Sequence, residues 1–269
     1  MADLAAPPEN SALLDLAERV ATQAGDLLLA GLADLRVDIR TKSSGTDMVS
    51  EMDQASEALI VDGILAERPD DGILGEEGSS RPGTSGVRWV IDPLDGTTNY
   101  LYRHPTWAVS VAAEVDGLVE AGVVAAPGLG EVFTAARDKG AWLNGAPIAV
   151  SGGDSLATAL VGTGFGYAAE RRARQAAVLP ALLPVVRDIR RNGVASLDLC
   201  WVACARLDAY FEYGGQPWDV AAGLLIATEA GARASSIDGG PPVPHSVLVA
   251  TPAVYDPLLA LLVGAGAAL

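Results

Sequence analysis

The chain has 269 residues, half of them apolar and 19% charged, a composition that excludes a disordered chain and suits one large domain or two modest ones. Its formal net charge of −16 argues against direct nucleic-acid binding, which needs a basic face toward the phosphate backbone. An acidic protein can still act on phosphate esters if cations cover its carboxylates.

In chain order, apolar residues at helical spacing (Leu13, Leu16, Val20, Ala24, Leu27, Leu28) predict a helix over Ser11 to Leu32. A polar connection, "TKSSGTDMVSEMDQ", follows. Ser50 and Asp53 have capping-box spacing ahead of a second helix, "ASEALIVDGILAERP", stopped at Pro69. "GILG" reads as a short strand, "EEGSSRPGTSG" as a loop, and Val87 to Ile91 as a buried strand. "WAVSVAAEVDG", "LVEAGVVAAPG" and "EVFTAARDKG" read as an antiparallel meander, with Asp116-Gly117 and Pro127-Gly128 as turns. The Gly-rich "VSGGDS" divides the chain into an α+β half, residues 1–152, and an α/β half, residues 153–269. In the second half "LATALVGTGF" is a strand, "AAERRARQAAVLPALLP" a helix and "VVRDIRR" a strand. "ASLDLCWVACARL" is a helix, "AYFEY" a strand and "WDVAAGLLIATEAGA" a helix; "HSVLVAT" and a packing helix close the chain.

Several chemistries lack their residues. Cys200 and Cys204, the only cysteines, have no company for zinc, since His104 and His245 are distant; they read as reduced core thiols. His104 has no acidic, serine or cysteine partner nearby. "GTGFGY", Gly162 to Tyr167, lacks dinucleotide-binding spacing, and there is no Walker loop or nucleophile elbow. "RRARQ", Arg171 to Gln175, reads as a solvated helix face. The start lacks a basic segment followed by an apolar run, and no apolar run reaches membrane-spanning length. A soluble, cytoplasmic protein without a membrane partner is therefore expected.

The informative stretch is "WVIDPLDGTTNY", Trp89 to Tyr100. An apolar strand delivers Asp92, Pro93 restricts the backbone on both sides, and Asp95 follows. Two carboxylates and the Leu94 carbonyl between them are hard oxygen donors suited to Mg2+. Gly96, Thr97 and Thr98 read as a helix start whose N–H groups favour an anion. The alternative is a capped turn with Asp95 as N-cap. Glu76 and Glu77 after "ILG", and Asp219 at the head of an apolar helix, repeat the pattern of acids at element ends. For Asp219 and Asp53 a capping role is equally available.

With "KSSGTDMVSEMD", "GEEG", "WVIDPLDGTTNY" and "WDVAAGLLIATEAG" in this order, the chain resembles the inositol monophosphatase family from about Ser11 to Ala250. The resemblance implies a layered α/β/α/β/α sandwich of the inositol monophosphatase and fructose-1,6-bisphosphatase type. It also implies Mg2+-dependent hydrolysis of a small phosphate monoester, a homodimer and lithium sensitivity. Glu76, Asp92 and the Leu94 carbonyl would hold one ion; Asp92, Asp95 and Asp219 a second; a weaker third would lie near Glu76. Gly96, Thr97 and Thr98 would bind phosphate. Thr97, polarised by Asp53, would orient water with Glu76, and Glu77 would stand behind them. Glu212, Ala195 and Asp95 would contact inositol, and Lys42 would sit on a loop near the ions. Tyr167 stands where the family often has a serine. Inositol-1-phosphate is the expected substrate. Histidinol phosphate or another small phosphomonoester is the alternative, and protein binding in a transcription complex is the alternative from another class.

Overall fold

The computed structural model describes residues 10–34 and 44–267; Lys42 lies outside them. Helices α1 (Asn10–Asp34) and α2 (Ser44–Glu67) open the chain, and α1 buries the expected stripe of Leu13, Leu16, Val20, Ala24 and Leu28. Because α2 begins at Ser44, Ser50 and Asp53 lie inside the helix, and the capping-box reading of that pair is wrong.

Strands β1 (Gly72–Gly75), β2 (Ser80–Arg81), β3 (Val87–Asp95), β4 (Ala108–Val115), β5 (Leu118–Ala126), β6 (Glu131–Ala136), β7 (Gly140–Leu143) and β8 (Ala146–Ile148) form one sheet, ordered β2-β1-β3-β4-β5-β6-β7-β8. The meander is present, and β7 and β8 extend it. The sheet is not wholly antiparallel, because β1 pairs parallel with β3. Helix α3 (Thr97–Leu101) follows β3.

The second sheet, ordered β10-β9-β11-β13-β12, contains β9 (Leu160–Thr163), β10 (Asp188–Arg190), β11 (Ala209–Tyr213), β12 (Arg233–Ser235) and β13 (Ser246–Ala250). β9, β10 and β11 run parallel, and β13 is antiparallel to its neighbours. The helices here are α4 (Ala169–Ala176), α5 (Leu179–Leu182), α6 (Ala195–Ala203), α7 (Pro217–Glu229) and α8 (Pro252–Gly264). The single helix expected over α4 and α5 is broken just before Pro180, whose ring removes a donor and restricts its predecessor.

Strand alternation sorts the buried side chains into layers. Trp89, Ile91, Val109 and Val111 pack with α1 and α2, whereas Val90, Ala112 and Val124 face α6 and α7. On the second sheet, Tyr210, Val247 and Val249 join the α6–α7 layer, while Phe211, Leu248 and Ala250 pack with Val254, Leu258 and Leu262 of α8. The result is a five-layer α/β/α/β/α sandwich. Each fully buried large side chain contributes about 1.5–3 kcal/mol.

Two glycines set how closely the middle layer packs. A Cβ at Gly122 would lie 3.0 Å from Ala222 Cα, so α7 rests directly on β5. A Cβ at Gly223 would lie 2.8 Å from Leu199 Cβ and 2.9 Å from Ser196 O, so α6 and α7 nearly touch. Alanine is intrinsically the better helix former by about 1 kcal/mol. Gly223→Ala should nevertheless lower stability by about 1–3 kcal/mol through overpacking. Denaturant unfolding checks the sign, which propensity alone would reverse.

Candidate active site

The parallel β1–β3 pairing generates the first part of the site. It sets Gly75 beside Ile91, and the Glu76 N–H donates to Ile91 O at 3.2 Å, so Glu76 leaves the sheet next to Asp92. β3 does not end at Asp92 as expected. Its pairing with β4 breaks after Asp92↔Ser110 and resumes at Asp95↔Ala108, which makes "DPLD" a bulge within the strand. The bulge backbone is satisfied locally. Leu94 N–H donates to Asp92 Oδ1 at 3.0 Å, and Ser56 Oγ of α2 donates to Pro93 O at 2.9 Å.

Asp95 is not a helix cap. Gly96 is the N-cap of α3, with φ 92° and no side-chain cap bond; a Cβ there would also lie 2.8 Å from Val194 Cγ2. Asp95 Oδ2 instead accepts from Ser196 N–H at 2.8 Å and Ser196 Oγ at 2.6 Å, in the first turn of α6, where backbone donors favour a carboxylate. Asp219 does cap: its Oδ2 accepts from Gln216 N–H at 2.8 Å in a capping box at the start of α7. It also faces the cleft, so the two readings are compatible.

These elements enclose a cavity of about 280 Å³. Glu76, Asp92, Leu94, Asp95, Gly96, Thr97, Ala195, Glu212 and Asp219 all line it, as does Tyr167, which is 83% exposed. Thr98, Glu77 and Asp53 do not line it. Among the described residues the Thr97 hydroxyl donates to Leu94 O at 3.2 Å, and no hydrogen bond to Asp53 accompanies it.

Burial, and after it like charge, sets the electrostatics of these acids. Asp92 is 1% exposed; burial and then the charges of Asp95, Glu76 and Asp219 hold its carboxyl well above the usual range. Asp95 is raised by burial and then by Asp219, against the two Ser196 hydrogen bonds. Glu76 is raised by burial, opposed by its hydrogen bond with Asp92, and Asp219 is raised by burial, opposed by the Gln216 N–H. Among the described residues, no lysine or arginine forms an ion pair with any of the four. Nor do three or more such side chains already stand as a finished metal cage. The donors fit Mg2+ in kind, being hard oxygens with uncompensated charge in one cavity, and closing around an ion would require Glu76 and Asp92 to exchange their mutual bond for it.

Sequence reasoning missed five residues here. Glu57, 3% exposed, lies one helical turn after Asp53 and holds the Glu76 loop. Its Oε2 and Oε1 accept from Glu77 N–H and Ser79 N–H, both at 2.9 Å. A Cβ at Gly75 would strike this carboxylate. Burial, followed by the charges of Glu77, Glu76 and Glu57, raises Asp53 to about 8. Asp198 of α6, 1% exposed, lines the cavity, accepts from Asn192 Nδ2 at 2.5 Å, and is raised by burial to about 7. Tyr210 OH donates to Glu212 Oε2, and Arg171 and Arg191 complete the wall. The visible signal was an acid inside an apolar run, "SLDLC". "GTGF" supplies room instead of a nucleotide loop, since a Cβ at Gly164 would collide with the Glu212 carboxylate.

Glu57→Ala leaves two partly buried N–H groups without acceptors and should lower stability by about 1–3 kcal/mol in denaturant unfolding. Asp198 has a folded pKa above its unfolded value, so its contribution is most favourable at low pH and is lost as pH rises through about 7. The melting temperature of Asp198→Asn should therefore gain on that of the unmodified protein between pH 5 and pH 8. An unchanged difference would contradict the assignment.

Residues 9–265 match the sequence profile described as the inositol monophosphatase family. An inositol-1-monophosphatase of Mycobacterium leprae is 47% identical over 235 residues, 83% of this chain and 81% of the relative. A protein named Nus factor SuhB from Escherichia coli K12 is 40% identical over 230 residues, 85% and 86% of the two chains. The structure of Mycobacterium tuberculosis SuhB superposes with a TM-score of 0.86 at 40% identity, covering 98% of this chain and 100% of that one. The chain belongs to the inositol monophosphatase family.

Proposed function

We propose that the chain is a Mg2+-dependent phosphomonoesterase that hydrolyses inositol-1-phosphate to inositol and phosphate. The observation that carries this reading is the convergence of Glu76, Asp92, Asp95 and Asp219 on one cavity with, among the described residues, no lysine or arginine ion-paired to any of them. Glu76, Asp92, the Leu94 carbonyl, Asp95 and Asp219 would hold two or three ions. When bound, Mg2+ would neutralise the phosphate and lower the pKa of water.

The protein's own groups position the reactants. Gly96 and Thr97 offer backbone N–H groups to the phosphate oxygens. Thr97 Oγ1 gives its proton to Leu94 O and so keeps lone pairs for a water proton. In this reading Glu76 accepts a second hydrogen bond from the same water, which aims the water oxygen at phosphorus. The new P–O bond forms from the water oxygen as the P–O bond to the alcohol breaks; one water proton stays on the phosphate and the other passes to the departing alkoxide. Glu212, held by Tyr210, and the backbone of Ala195 then contact inositol hydroxyls. Asp53, on α2, is the group proposed to polarise Thr97.

A second reading comes from relatives named Nus factor SuhB: a role in a transcription complex alongside, or in place of, hydrolysis. Phosphate release from inositol-1-phosphate with and without Mg2+ separates them. Mg2+-dependent turnover is expected, and Asp95→Asn should reduce it at least about a hundredfold. No release from inositol-1-phosphate or histidinol phosphate, or full activity in Asp95→Asn, would contradict the enzymatic reading.

A further inference from the structure

The segment from Asp95 to Asn99, which carries the groups proposed to face phosphate, is fastened to the connection between β10 and α6 at three points. Asp95 Oδ2 accepts from Ser196, Gly96 lies against Val194 Cγ2, and Asn99 Nδ2 donates to Asn192 O at 2.8 Å. The pairs 95–196, 96–194 and 99–192 run in opposite chain directions, so the two segments lie side by side. In the reading above Asp95 shares its carboxylate with an ion, and Gly96 meets Val194 only by van der Waals contact. The Asn99–Asn192 bond is therefore the hydrogen-bonded attachment that involves no proposed metal ligand.

Asn99 does more than close its own turn. Its amide nitrogen also lies 2.7 Å from Thr106 O and 3.1 Å from Thr106 Oγ1, and its backbone carbonyl accepts from His104 N–H at 2.8 Å. Two of the three neighbours of Nδ2 are carbonyl oxygens, which only accept, so the nitrogen of the amide faces them. The turn after α3 needs only the Thr106 and His104 contacts. The bond to Asn192, 93 positions away, has no part in that turn.

Asn192 carries the constraint onward. Gly193, at φ 82°, turns the chain immediately after it, and Val194 is the N-cap of α6. Asn192 Nδ2 donates to Asp198 Oδ1 at 2.5 Å. Asp198, with Gly193, Val194 and Ala195, lines the cavity where the alcohol would lie, whereas Asn99 and Asn192 themselves do not line it. Two side-chain amides thus join the phosphate end of the cleft to its alcohol wall.

We infer that Asn99 and Asn192 are positioning residues that fix the alcohol-side wall at a set distance from the bound phosphate, and so govern how well an inositol-sized alcohol fits. They act through Ala195 and Asp198. This rests on the phosphatase reading and concerns the alcohol, not the ions.

The test measures kcat and KM for inositol-1-phosphate, Ki for inorganic phosphate and the melting temperature, all in saturating Mg2+. The variants are Asn99→Ala, Asn99→Asp, Asn192→Ala and the double Asn99→Ala/Asn192→Ala. Both Asn99 variants should raise KM about tenfold and leave Ki for phosphate within about twofold, because a displaced wall loses alcohol contacts and not the phosphate cradle. Asn99→Asp keeps the size and removes the donors, so it should follow Asn99→Ala. Asn192→Ala keeps the carbonyl that Asn99 holds but releases Asp198, and should raise KM about threefold or more. Losses along one path do not multiply, so the double variant should be no worse than Asn99→Ala alone. An unchanged KM in folded Asn99 variants, a Ki that rises in step with KM, or losses that multiply would overturn the relay while leaving the phosphatase reading intact. Should the Asn99 variants fail to fold, an unchanged ratio of KM to Ki in Asn192→Ala would overturn it. No turnover by the unmodified protein would overturn both.

Discussion

Four carboxylates held in one partly buried cavity repel one another, and the fold is organised around tolerating that repulsion. At about 4 Å and an effective dielectric near 20, two unit charges interact by about 4 kcal/mol, comparable to a large share of a domain's net stability. Burial first, and then this repulsion, shifts Asp92, Asp95 and Glu76 toward their neutral forms, and burial shifts Asp219. Left to themselves they would separate or take up protons. The chain supplies rigid anchors instead: a parallel strand pair for Glu76, a bulge for Asp92 and Asp95, and the tightly packed α6–α7 pair behind Ser196 and Asp219.

The layering explains why anchors from distant segments can be this firm. α6 and α7 lie between two sheets, so each helix is packed on both sides, and Gly122 and Gly223 bring backbone against backbone. Their N-terminal turns open into the cleft, one toward Asp95 and the other carrying Asp219. On the opposite side α2 supports the bulge through Ser56 and the Glu76 loop through Glu57. A buried carboxylate accepting two backbone N–H groups is a stiff connector, since losing it would leave both donors unpaired.

Much of this was legible in the residues, unevenly. Continuous apolar runs in β3 to β5, which are buried on both faces, and the helical stripe of α1 identified those elements. β2, β7, β8 and β12 were missed; they are short and carry at most one buried side chain each, so pairing more than burial defines them. The acids at element ends pointed to the cleft because charge near a buried strand end is costly without a partner. The bulge was not visible, since a break in register depends on the partner strand β4. Asp95 looked like a cap because its acceptor role is local in sequence, while its actual donor, Ser196, lies in α6. Arg171 escaped notice because α4 is exposed, and only the return of β9 beside β11 places it at the Glu212 wall.

Thermal unfolding of the metal-free protein under increasing Mg2+ bears most directly on the charge cluster. An ion bound only by the folded chain stabilises by RT ln(1 + [Mg2+]/Kd), so the melting temperature should climb steadily once the concentration passes Kd, and Asp92→Asn should flatten the rise. A melting temperature indifferent to added Mg2+ at every concentration would show that the four carboxylates are balanced by protons alone.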